Sequence, residues 1–431
     1  MSDPHIHRTL NALWRMESPK LVARLTRMLG SIDSAEELAQ DVLVAALERW
    51  PQDGIPDNPA AWLMTAAQRR AIDQLRQRKL HSGKHEQLAY EMEGADMAGP
   101  ADDSRLEDDI GDDLLRLVFV SCHPVLPTEA RVALTLRLLG GLSTEEIARA
   151  FLQSETTIAQ RIVRAKRTLA QKQVPFEVPR KAELDERLDS VLEVVYLVFN
   201  EGYSATAGAE WMRPALCEEA LRLGRVLAGL MPGQPEVYGL LGLMELQASR
   251  LRARVDAEGE PVLLLEQDRR RWDRLQIQRG LNALERAAVL GGADGPYALQ
   301  AAIAACHARA ARAQNTDWPR IAALYARLAQ ATPSPIIELN RAAAVGMASG
   351  PEVALPLVEA LRDEPLLREY PQLSALHGDL LERLGRRDEA KRAFERAATL
   401  TSNERERTRM QARAQACASW ESAGRGNAPM A

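Results

Sequence analysis

The stretch Leu142–Lys172, LSTEEIARAFLQSETTIAQRIVRAKRTLAQK, leaves little freedom in how it folds. Glu146 follows Ser143 by three positions, the spacing at which a serine caps a helix and a glutamate reaches back to it. Ile147, Ala148 and Phe151 give that helix an apolar face. Ser154 caps a second helix, whose Ile158 and Ile162 recur at i, i+4 to pack on the first. From Gln160 onward the charges are Arg161, Arg164, Lys166, Arg167 and Lys172, with no acid. Two capped helices with base gathered on the second make a helix-turn-helix pattern. In that motif the second helix enters the major groove, where Arg and Gln meet base edges and Lys or Arg hold phosphates. The same pattern also fits a plain helical hairpin with a solvated basic face.

The rest of the 431 residues reads as helical as well. Ala, Leu, Arg and Glu dominate, aromatics make up 4%, and β-branched runs are scarce, so the expected fold class is all-α. A net charge of −5 excludes a generic polyanion binder and confines any nucleic-acid surface to local patches. Cys122, Cys217, Cys306 and Cys417 lie far apart with no CxxC, which predicts reduced thiols rather than disulfides or zinc ligands. His5 and His7 read as part of a mobile terminus rather than a metal site. The start carries no apolar signal region and no run is long enough to span a bilayer, so the expectation is a cytoplasmic protein without a membrane partner. No metal cluster, nucleophile–base set or phosphate loop is visible; neither an enzyme nor a cofactor is expected.

In chain order, an amphipathic helix over 8–30 is expected to break near Ser18–Pro19. Ser34 with Glu37 predicts a second capping box. Behind it Leu38, Val42, Ala45 and Ala46 form an apolar stripe beside exposed Glu37, Gln40 and Asp41. Asn58–Pro59 is an N-cap followed by Pro at the first helical position. The long helix after it carries Arg69, Arg70, Arg76, Arg78 and Lys79 against one acid, Asp73. Glu91 to Asp113 then holds ten acids and a single base, Arg105, which reads as a flexible acidic linker.

These stretches together resemble the bacterial extracytoplasmic-function sigma factors of the sigma-70 family. SAEELAQDVLVAALERW resembles the region that binds the clamp of RNA polymerase, which implies core contacts at Glu37, Gln40, Asp41 and Val44. NPAAWLMTAAQRRAIDQLRQR resembles the segment that melts and reads the −10 element, implying Asn58, Trp62, Arg69, Arg70, Asp73 and Arg76. The opening helix pair resembles the −35 reader, implying Thr156, Thr157, Gln160, Arg161, Arg164 and Lys166. One departure is Leu152, where the family usually places Gly in the turn. Trp62 also reads as a core anchor of its own domain. The domains expected are 8–80 for the polymerase and −10 contacts, 81–112 for the linker, and 113–173 for the −35 reader.

Residues 183–420 repeat. PQLSALHGDLLERLGRRDEAKRAFERAATL places Gly378, Leu381, Gly385, Ala390, Phe394 and Ala397 at the small and large positions of a tetratricopeptide-type helix pair. Weaker copies precede it, one of them interrupted by EQDRRRWDRLQIQRG. Stacked pairs present a concave surface to a protein or ligand, here of unknown identity. The join, FNEGYSATAG, places Asn200, Glu201, Gly202 and Tyr203 at a candidate interdomain contact. The whole resembles the sigma-factor subgroup with a fused repeat extension, and that resemblance implies control of activity by the extension. The expected partners are core RNA polymerase and promoter DNA. The alternative is a stand-alone helix-turn-helix regulator with a protein-binding repeat domain.

Overall fold

A computed structural model describes residues 4–82, 103–151, 153–204, 212–257, 260–401 and 404–424. Its long elements are all α-helices, as the composition predicts. The chain divides into two compact units, Met1–Val198 and Phe199–Ala431.

In the first unit, α1 (Pro4–Leu29) runs straight through Pro19. The expected break does not occur. Burying Leu10, Leu21, Val22 and Leu25 outweighs the roughly 3 kcal/mol that an interior proline costs. Gly30, at φ +66°, ends α1 and turns the chain so that Ser31 is extended. Ser31 therefore caps α2 (Ile32–Asp53), its hydroxyl accepting from the Ser34 N–H at 3.3 Å. Ser34, the residue expected at the cap, lies inside the first turn, and its hydroxyl accepts from Arg78 Nη2 at 3.3 Å. The Asn58 cap forms as expected, its side-chain oxygen accepting from the Ala61 N–H at 3.0 Å at the start of α3 (Pro59–Ser82).

The acidic stretch is not all linker. α4 (Asp103–Ser121) starts inside it, while residues 83–102 lie outside the described residues. Asp113 is fully buried and pairs with Arg24 at 3.2 Å, Arg27 at 3.4 Å and Arg116 at 2.6 Å. Three guanidiniums offset the cost of burying that carboxylate and tie α4 to α1.

The opening stretch folds as its caps dictate, with α5 (Thr128–Leu138) before it. Ser143 and Glu146 form the capping box of α6 (Thr144–Ala150), at 3.1 and 2.8 Å. Ser154 caps α7 (Glu155–Gln171) by accepting from the Thr157 N–H at 3.1 Å. Ile147 and Ala148 are buried, as are Ile158, Ile162, Ala165 and Leu169. Leu152 lies outside the described residues.

α8 (Lys181–Tyr203) spans the division between the units. Through Val198 it belongs to the first unit, whereas the repeats were expected to begin at 183. The reason is an apolar face, Leu188, Val191, Leu192, Val195 and Val198, that is buried on this side of the division. Arg187 donates to the Phe119 carbonyl at 2.9 Å. Arg131 of α5 donates to Glu193 at 2.9 Å and to Ser190, whose hydroxyl in turn donates to the Cys122 carbonyl.

The second unit consists of successive helices from α9 (Pro214–Leu230) and α10 (Pro235–Ala248) to α16 (Pro371–Arg383), α17 (Arg387–Leu400) and α18 (Glu404–Gly424). Between them lie α11 (Arg274–Val289), α12 (Pro296–Arg309), α13 (Trp318–Ala331), α14 (Pro335–Ser349) and α15 (Pro351–Ala360). Most begin with Pro in the first turn, where its missing N–H costs nothing and its fixed φ starts the helix sharply. Leu381, Ala390, Phe394 and Ala397 join one core cluster, as the repeat pattern predicts. A Cβ on Gly378 would meet Phe394 Cε1 at 2.7 Å, so only glycine lets α16 and α17 approach this closely.

Candidate nucleic-acid interface

The buried stripe of α7 decides which of its side chains face outward. With Ile158, Ile162, Ala165 and Leu169 turned inward, Thr156, Thr157, Gln160 and Arg164 are exposed and Arg161 is half-buried at the edge. Thr157, Gln160 and Arg164 share a ridge at i, i+3 and i+7, and Arg164 Nη2 lies 3.5 Å from Gln160 Oε1. The Thr157 hydroxyl is 2.7 Å from that of Ser154, so the cap holds it in place. This ridge offers amide, hydroxyl and guanidinium groups on one helix face, the chemistry of base-edge and phosphate contact.

Lys166 stands apart from that ridge. It lies on the other flank of α7, pairing with Asp33 at 2.9 Å and with Glu36. Arg137 of α5 joins the same Glu36 at 3.0 Å. Burial alone would lower the Lys166 pKa, but the Glu36 and Asp33 carboxylates outweigh it and hold the ammonium above its ordinary value. Lys166, grouped by sequence with the base-facing residues, is thus engaged with α2.

On α2, Glu37, Gln40, Asp41 and Val44 are exposed together, opposite buried Leu38, Ala39, Val42 and Ala46. Val44 is 51% exposed, an apolar side chain left open among acids and amides. A cleft of 510 Å³ brings Glu37, Asp41 and Val44 together with Arg70, Asp73 and Gln74 of α3. A smaller cleft of 290 Å³ sets Glu37 and Gln40 across from Ala159, Val163 and Lys166 of α7. The candidate polymerase face therefore borders α3 on one side and the helix-turn-helix on the other.

On α3, Arg69, Arg70, Asp73 and Arg76 are exposed and form a polar, mainly basic strip. Asn58 is exposed, but its side chain is committed to the cap. Trp62 is half-buried, edge-to-face with Trp50 at 5.6 Å between ring centroids and 71° between planes. Trp50 is fully buried, so Trp62 leans on the domain core and leaves only part of its surface exposed.

Asn200, Glu201, Gly202 and Tyr203 form the last turn of α8 and are engaged within the second unit. Glu201 pairs with Arg213, and Gly202 is closed in, since a Cβ there would meet the Cys217 backbone nitrogen at 2.6 Å. Residues 205–211, the rest of FNEGYSATAG and beyond, lie outside the described residues. The ion pairs of Glu36 and Asp113 were not anticipated from sequence; an acid paired across so many residues leaves no local signal.

Three family models match the chain. Sigma-70 region 2 matches residues 13–81, Sigma-70, region 4 matches 116–169, and a family of unknown function, DUF6596, matches 187–288. An uncharacterized protein of Rhizobium meliloti is 44% identical over 388 residues, covering 89% of this chain and 90% of that protein. ECF RNA polymerase sigma factor SigK of Mycobacterium ulcerans is 31% identical over 154 residues, 35% of this chain and 75% of its own length. Probable ECF RNA polymerase sigma factor SigI of Mycobacterium tuberculosis is 26% identical over 175 residues, 40% of this chain and 58% of its own length. No helix among the described residues is long and apolar enough to cross a membrane. The helix-turn-helix face, the basic strip of α3 and these matches lead to one conclusion: the chain belongs to the ECF RNA polymerase sigma factor family, with a helical extension fused behind region 4.

Proposed function

We propose that this protein binds core RNA polymerase in the cytoplasm and directs promoter-specific initiation, without catalysis of its own. The observation that carries the reading is the pair of separate exposed helix faces, the Thr157–Gln160–Arg164 ridge of α7 and the Arg69–Arg76 strip of α3. α7 reads the −35 element and α3 the −10 element. Each site is modest alone, and holding both on one chain raises the effective concentration of the second contact once the first is made. The Glu37, Gln40, Asp41 and Val44 face binds the polymerase clamp, with Val44 as its apolar centre. The second unit adjusts how much protein is competent, through a partner or ligand of its helix pairs.

Co-elution of the full-length protein with core polymerase tests the reading. Asp41→Arg places positive charge in the clamp-facing strip and abolishes co-elution if the face is right. Wild-type co-elution of that variant would remove the face from the interface. Tight, sequence-selective DNA binding without polymerase would favour the stand-alone regulator instead.

A further inference from the structure

The segment that interrupts the helix pairs, described over 249–257 and 260–273, meets the end of α8 through alternating arginines and aromatic rings. The Arg254 guanidinium lies 3.6 Å from the Tyr203 ring centroid. Arg250 lies 5.7 Å from the same ring, donates to the Tyr203 hydroxyl at 2.6 Å, and lies 5.8 Å from the Trp272 ring. Arg269 lies 5.0 Å from the same Trp272 ring. Arg269 also donates to the carbonyls of His307 and Ala310, both at 2.6 Å, and to the Thr316 hydroxyl at 3.1 Å. The stretches FNEGY and EQDRRRW, far apart in sequence, thus meet in one cluster.

Among the described residues no carboxylate pairs with two of these guanidiniums, Arg250 and Arg269. Burial depresses the Arg269 pKa, and the Arg250 charge depresses it further. Ring faces recover only part of the desolvation cost of a buried guanidinium. Three polar atoms in the cluster also lack partners among the described residues: Arg269 Nε, Trp272 Nε1 and His307 Nδ1. Their residues are only 6%, 3% and 8% exposed, so whatever reaches them is small. Arg250, half-buried, is the open side. The half-buried Arg250 guanidinium, with the Arg269 Nε and Trp272 Nε1 N–H groups that lack acceptors, matches a planar or tetrahedral oxyanion.

We propose that the Arg250–Trp272–Arg269 cluster binds a small molecule through a phosphate or carboxylate group. The inference stands on the second unit alone and does not rest on the polymerase reading. Thermal unfolding of the full-length protein tests it, with inorganic phosphate and with acetate titrated against chloride at matched ionic strength and pH 7.5. The expected result is a saturable rise of about 2–4 °C with at least one of the two oxyanions, and the one that saturates identifies the group. Arg250→Gln loses the saturable part and keeps only the linear salt effect. Arg250→Lys keeps the charge without the fork and retains a weaker, right-shifted response, which holds the test open if the glutamine variant fails to fold. A non-saturating rise with both oxyanions, or the same saturation in both variants, overturns the proposal.

Discussion

Lys166 of the helix-turn-helix reaches Asp33 at the head of α2, Nζ to Oδ1 2.9 Å, and pairs with Glu36 beside it. Its side chain is mostly buried there, as is that of Glu36. The pairing holds α7 against the helix whose next turns carry Glu37, Gln40, Asp41 and Val44. Glu37 and Gln40 of the proposed polymerase face line one cleft with Ala159, Val163 and Lys166, on the flank of α7 away from the Thr157–Gln160–Arg164 ridge. Glu36→Lys sets like charges against Lys166 and Arg137. It should weaken the contact by about 1–3 kcal/mol, between the values of exposed and buried pairs. Hydrogen exchange of α2 and α7 amides should speed up in that variant and return toward wild type when Lys166→Glu is added. Unchanged exchange would show that the pairs do not hold the two helices together.

A second prediction separates readers from holders on α7. Arg164→Ala removes an exposed guanidinium from the ridge and should weaken initiation at responsive promoters by about 1–3 kcal/mol if it meets a base. Lys166→Ala should change promoter preference little. Transcription from a set of −35 variants distinguishes them: Arg164→Ala flattens the preference at one position, and a uniform loss with a shallower salt slope makes it a phosphate contact.

A third concerns where the chain can be cut. Sequence alone placed a clean boundary after Gln173, beyond both promoter-reading domains. The structure places α8 through Val198 in the first unit, so that cut strips Ser190 and Glu193 from Arg131, Ser190 from the Cys122 carbonyl and Arg187 from the Phe119 carbonyl. Arg131 keeps its Thr128 bond but loses a half-exposed carboxylate, a cost of about 1–3 kcal/mol, between the values of exposed and buried pairs. A protein ending at Gln173 should be markedly less stable to urea than one ending at Val198. Equal midpoints would mean that α8 adds nothing to the first unit.

The caps and stripes were legible because they are local. Ser143 with Glu146, Ser154, Asn58 and the Gly378–Phe394 pairing follow from spacings of three, four or one repeat. What was missed depends on docking. Ser34 has the capping-box spacing to Glu37, but the positive φ of Gly30 leaves Ser31 extended ahead of α2 and makes it the cap. Asp113 reads as one acid among many until α1 brings two arginines to it. Lys166 reads as part of a basic helix until α2 approaches its flank.

A fourth prediction concerns pH. Burial, with the Arg250 and Arg269 charges, pushes the His307 pKa down to about 4 from an ordinary value near 6.5. The unfolded chain therefore takes up a proton as pH falls below about 6.5 while the folded one does not. Stability is lost from there down to about pH 4 and is then level, a total of about 3 kcal/mol from this group. Denaturant unfolding of wild type and His307→Gln at pH 7.5 and pH 5 checks it. The variant should lose about 2 kcal/mol less on acidification. Equal losses would place His307 in a more solvated setting.

The central claim is that two helix faces on one chain direct polymerase to promoters. Sequencing the 5′ ends of transcripts made by core polymerase on genomic DNA, with and without the full-length protein, tests it most directly. The account predicts new start sites that share two sequence elements at fixed spacing upstream, with the upstream element changed or lost for Arg164→Ala. Start sites identical with and without the protein would contradict it.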